Sequence, residues 1–158
     1  MSYGPTPWLQ GAWDWRAAAN FMAGGAGSGL VVVTFLAGGP GWLFAAGALL
    51  VAAGLLAVWA EIGRPWRALN VFRHARRSWM SREALVAPPL LAAAFAAAFA
   101  HRAALPLAAV AALLALAFVY CQGRILQAAR GIPAWRSRFT TPLVVATALA
   151  EGAGLWLL

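Results

Sequence analysis

Residues Leu85 to Ala100 read LVAPPLLAAAFAAAFA, residues Leu105 to Tyr120 read LPLAAVAALLALAFVY, and only His101-Arg102-Ala103-Ala104 stands between them. Neither run carries a charge, and each falls a little short of the ~20 apolar residues that cross ~30 Å of hydrocarbon. A connector of four residues forces the two to return antiparallel, so the stretch reads as a membrane hairpin. Pro88, Pro89 and Pro106 fall near the expected helix starts, where a missing N–H is tolerated.

Outward from this hairpin, Ala17 to Leu36, Trp42 to Ala60 and Thr141 to Leu158 have the same apolar character. The expected fold is therefore all-α: a polytopic transmembrane helix bundle of about five spans, forming one domain because no linker separates its parts. Boundary residues fit the parse. Gly38, Gly39, Pro40 and Gly41 break the chain after the first run, and Ser81 is a candidate cap for the third helix, with Glu83 in its first turn. Thr141 and Pro142 suit the N-cap and first position of the fifth. Gly25 and Gly29 make a GxxxG step for close helix packing.

Composition supports a lipid environment. The 158 residues are 63% hydrophobic and 10% charged, with mean hydropathy +0.75, outside the range of soluble domains. Met1 to Gln10 carries no charge and the first apolar run is too long for a signal-peptide core, so that run is expected to be a retained helix. The single Cys121 excludes an intramolecular disulfide and any multi-cysteine metal site, so no metal is expected in this chain.

All twelve basic residues are arginine, giving a net charge of +8. They gather between the apolar runs, which makes them reporters of topology or docking rather than of nucleic acid. Arg64, Arg67, Arg73, Arg76, Arg77 and Arg82 precede the third span; Arg124, Arg130, Arg136 and Arg138 precede the fifth. With five spans these loops share a face with the N-terminus and Arg16, leaving Arg102 alone on the other. The positive-inside rule places the arginine face in the cytoplasm. The same loops would also suit an acidic partner or anionic lipid headgroups.

Glu61-Ile62-Gly63-Arg64-Pro65 followed by Ser81-Arg82-Glu83, and Gly131-Ile132-Pro133-Ala134-Trp135 followed by Thr141-Pro142, resemble the membrane-anchor subunits of molybdoenzymes. These are the dimethyl sulfoxide reductase anchor family and its NrfD-like, polysulfide reductase relatives. The likeness runs along the whole chain, including the Ala23-Gly24-Gly25 step, and covers the spacing of the motifs as well as their letters. It implies a non-catalytic anchor in a bacterial or archaeal cytoplasmic membrane that binds a quinone, menaquinone or ubiquinone. It also implies two partners, an iron–sulfur electron-transfer subunit and, through it, a molybdopterin catalytic subunit. Family members usually have more spans, so the chain would correspond to the N-terminal part of a longer fold. The position of Glu61 is often His in the dimethyl sulfoxide reductase branch.

On that reading Glu61 and Glu83, at the membrane ends of the second and third helices, are candidate proton acceptors for a quinol. Solvated pairing with Arg64 or Arg82 is the alternative for both. His74 could relay protons, Asn20 could hydrogen-bond a quinone carbonyl, and Arg124 could sit near it. Arg64, Arg67, Arg73, Arg76, Arg77, Arg82, Arg136 and Arg138 are the candidate docking residues. Glu151 falls near mid-bilayer, where a carboxyl is expected to face the bundle and to be protonated or paired. A haem is disfavoured because His74 and His101 fall on opposite faces. A small transporter or a structural membrane protein without a redox role is the competing class.

Overall fold

The computed structural model describes residues 14–60, 65–100, 104–129 and 131–158. Five long helices carry the fold: α1 Trp15–Ala37, α2 Trp42–Trp59, α3 Trp79–Phe99, α4 Ala104–Ala128 and α5 Thr140–Trp156. Four of them, α1 to α4, are long and apolar enough to cross a membrane. The fifth, α5, has 17 residues, about 25 Å at the α-helical rise. The chain is thus a multi-pass helical membrane protein. Two 3₁₀ segments, Pro65–His74 and Pro133–Arg136, occupy the arginine-rich connections.

Asp14 caps α1, its carboxylate accepting from the amides of Arg16 and Ala17. At the other end Gly38 adopts φ 67°, and the amides of Gly38 and Gly39 donate to the carbonyls of Phe35 and Thr34. This Schellman turn is the break that the glycine run predicts. Here a left-handed conformation is required, and glycine supplies it without a Cβ penalty.

The third and fourth helices differ from the apolar runs. The former begins at Trp79 rather than near Leu85, and the latter continues past Tyr120 to Ala128. Hydropathy ends earlier than the helices do because Ser81, Glu83 and Gln122 turn into the bundle while Arg82 and Arg124 remain half-buried. Ser78, not Ser81, caps α3, accepting from the amide of Ser81 at 3.4 Å; Ser81 itself is buried. Consequently Pro88 and Pro89 lie inside α3 rather than near its start, and the backbone bonds that amides at 88 and 89 would make to Ala84 and Leu85 are missing. At the start of α5 the N-cap residue is Phe139, and Thr141 is already within the helix.

The helices form a ring in which α2 packs on α3, α3 on α4, α4 on α5, and α5 on α1, with α1 touching both α2 and α4. Glycines set the closest crossings. A Cβ on Gly27 would lie 2.5 Å from the Gly47 carbonyl, so α1 and α2 meet backbone to backbone. Gly29 meets Ala148 and Gly152 of α5 in the same manner. The GxxxG step is therefore used through Gly29; a Cβ on Gly25 would make only ordinary contacts, 3.8 Å, with Ala148 and Gln122. The apolar core runs through Val31, Phe44, Val51, Leu90, Ala111 and Phe118.

Candidate functional site

Polar side chains are scarce inside this core, and three of them meet. Asn20 of α1 is 5% exposed, Glu83 of α3 is 7% exposed and Gln122 of α4 is fully enclosed. Asn20 Nδ2 donates to Glu83 Oε1 at 3.3 Å, and Gln122 Nε2 donates to the backbone carbonyl of Asn20 at 3.1 Å. The three helices are thereby tied at one level. Asn20 lies five residues from the start of α1, Glu83 four from the start of α3 and Gln122 six from the end of α4. At ~1.5 Å per residue the cluster is ~6–9 Å inside the arginine-rich end of the bundle.

The backbone makes room for it. A Cβ on Gly24 would stand 2.7 Å from Gln122 Nε2 and 3.0 Å from the Phe118 ring, so glycine at this position leaves space for the amide. Across α1, Gly54 of α2 lets Asn20 approach, a Cβ there lying 3.1 Å from the Asn20 Cα. Cys121, also buried, neighbours Gln122 along α4.

Hydrogen bonding is incomplete. Asn20 Oδ1 and Gln122 Oε1 are buried without a partner, as is the hydroxyl of Ser28 two turns deeper in α1. Among the described residues no cation pairs with Glu83, while at the start of α1 Arg16 pairs with Asp14. A buried carboxyl and two orphan amide oxygens form a concentration of acceptors, an arrangement that is costly unless something donates to it.

One turn closer to the arginine face, Trp79 lies on the Glu83 side of α3. The Arg82 guanidinium sits 4.1 Å and that of Arg124 4.8 Å from the Trp79 ring centre. The Tyr120 ring meets Trp79 edge-on at 5.7 Å. Arg82 is held by donating to the carbonyls of Ala75 at 2.9 Å and Arg76 at 3.1 Å. It closes the turn before α3 and does not pair with Glu83, so the alternative of a solvated Glu83–Arg82 pair does not describe this carboxylate. Arg124 Nε is buried without a partner.

Of the residues singled out from sequence, Asn20 and Glu83 are joined directly, and Arg124 lies in the layer above them. His74 is exposed at the end of the first 3₁₀ segment, along with Arg73, Arg76 and Arg77 in the same connection. Arg136 and Arg138 are exposed in the second connection, the latter 4.9 Å from the Phe139 ring. Glu61, Arg64, His101, Arg102 and Arg130 lie outside the described residues, as does the side chain of Arg67. Gln122, Trp79 and Tyr120 join the site only through the structure. Gln122 falls just past the end of the fourth apolar run, and the two aromatics read as ordinary belt residues.

Glu151 departs from expectation. It is exposed on the outside of α5 and does not face the bundle. The inward stripe of α5 is occupied by Thr141, Ala148 and Gly152, and the close contact of Gly152 with Gly29 leaves no space for a neighbouring carboxyl on that side. No family model, no curated protein and no solved structure matches the chain.

Proposed function

We propose that this chain is the membrane-anchor subunit of a multisubunit molybdenum/iron–sulfur oxidoreductase, binding quinone or quinol beneath its arginine face. Electrons would pass between the quinone pool and an iron–sulfur subunit docked on Arg73, Arg76, Arg77, Arg136 and Arg138, and from there to a molybdopterin subunit. The observation that carries the reading is the Asn20–Glu83–Gln122 cluster, a set of buried acceptors at shallow membrane depth.

Its chemistry fits a quinol. Two hydroxyl groups need acceptors, and Glu83, Asn20 Oδ1 and Gln122 Oε1 supply them. A quinol delivers two electrons and two protons when it is oxidised. Glu83 is suited to take one proton from a hydroxyl within ~2.6–3.2 Å, with Asn20 holding the carboxylate in position, and the second proton follows once Glu83 has passed the first to water at the arginine face. Trp79, with the Arg82 and Arg124 guanidinium groups over its ring, puts positive charge one turn above the cluster, where it would favour the carboxylate and a quinone oxygen. The exposed arginines of the two connections form a positive surface complementary to an acidic partner.

The test is Glu83→Gln in the assembled complex. Quinol-dependent turnover should fall by about 100-fold or more, as for loss of a general base, while turnover with a soluble dye that reduces the partner directly should persist. Unchanged quinol turnover in this variant would remove Glu83 from the proton path and with it the main support for the reading.

A further inference from the structure

The furrow between α1 and α5 on the outside of the bundle has a carboxyl at its centre. Two adjoining hollows of about 240 and 470 Å³ share Met22 and Glu151 as walls. One runs past Gly25, Leu143 and Thr147, and the other past Ala26 and Gly154. Met22 is 67% exposed. The furrow is thus a long apolar trough with one ionisable group, placed eleven residues into α5 and so ~16 Å from its arginine-side end.

Among the described residues nothing donates to Glu151: it takes part in no hydrogen bond and no ion pair. A carboxyl facing hydrocarbon at this depth is expensive, and such groups are otherwise found against a bundle interior, an aqueous cavity or a partner. The interior is closed to it by the Gly29–Gly152 crossing. A donor from beyond the described residues would satisfy it.

None of the arginines in these 158 residues falls at that depth, and a second copy brings no other. Its arginines sit in the connections or within about a turn of a helix end, as Arg16, Arg82 and Arg124 do. Two copies inserted with the same orientation bring equal depths together, so Glu151 would meet another Glu151 and no cation. A trough also receives a ridge more readily than it receives another trough.

We propose that this furrow seats a membrane-spanning helix of another subunit, one that presents a lysine or arginine near its midpoint to Glu151. The inference is independent of the quinone reading, since it concerns the opposite side of α1 from Glu83 and requires no redox partner.

The experiment uses the full chain in lipid nanodiscs and two model peptides. Each is a leucine–alanine helix of about 20 residues, one with a central lysine and one without, and binding is followed by fluorescence transfer from a label on α5. The lysine peptide should bind about tenfold more tightly than its neutral twin. That preference should vanish in Glu151→Leu and shrink in Glu151→Gln, both of which leave the packed face of α5 intact. Equal binding of the two peptides, or a lysine preference that survives Glu151→Leu, would overturn the proposal. So would subunit counting by photobleaching that shows the chain pairing with itself in a Glu151-dependent way, which would assign the furrow to a second copy.

Discussion

At the scale of single residues, the cluster depends on an absence. Gly24 has no side chain, and Gln122 fills the space that one would take. Gly24→Val should therefore push Gln122 off the Asn20 carbonyl and cost about 1–3 kcal/mol as an overpacked core. Thermal unfolding in detergent should show this loss, and Gln122→Leu in the same background should recover part of it by removing the displaced amide. An unchanged melting temperature for Gly24→Val would mean that the space is larger than the 2.7 Å approach implies. Asn20 was legible because it interrupts an apolar stretch, and Glu83 because it is a carboxylate at the membrane end of one; a polar group at or in lipid must be explained. Gln122 was not, because it follows the last hydrophobic letter of its run and so resembles the start of a loop. What joined the three was the meeting of α1, α3 and α4 at one level, and no spacing along one chain encodes those distances.

At the scale of elements, the bundle closes through the crossing of α1 and α5. Gly29 and Gly152 stand backbone to backbone, and a Cβ on Gly152 would run into the backbone of Gly29 and Leu30. Gly152→Ile should force the helices apart and destabilise the protein by about 3 kcal/mol, at the upper end for overpacking. A disulfide engineered between neighbouring positions of α1 and α5 should form readily in the parent and poorly in the variant. Equal cross-linking yields would show that α5 is held by other contacts. Helix number and the glycine break at Gly38 were readable from the letters. Helix ends were not, because hydropathy measures which residues tolerate lipid, whereas a helix continues for as long as its polar side chains find partners inward or at the interface. For the same reason Pro88 and Pro89 moved from the expected start of α3 to its interior.

At the scale of the whole molecule, charge is distributed between the two ends. By their positions in the sequence, eleven of the twelve arginines belong to the end that holds the starts of α1, α3 and α5. If they were selected by insertion, that end is cytoplasmic. Ser78, between the first 3₁₀ segment and α3, is a suitable reporter. After Cys121→Ala, Ser78→Cys should stay unreactive toward an impermeant maleimide in intact cells and react once the membrane is opened. Labelling in intact cells would place the arginine face outside, with docking rather than insertion as the reason for its charge. The bundle and its sidedness could be argued from sequence because both follow from sums over many residues. The outward turn of Glu151 could not, because it depends on which stripe of a single helix a pair of glycines claims.

The buried thiol of Cys121 has a practical consequence. It is 5% exposed within α4, between Tyr120 and Gln122, beyond the reach of a bulky aqueous reagent while the helices stay together. The native chain therefore carries its own clock for breathing motions: the rate at which a permeant thiol probe modifies it reports how often α4 parts from its neighbours. Gln122 is the next residue along α4, so a ligand that holds α4 at the acceptor cluster should slow the clock.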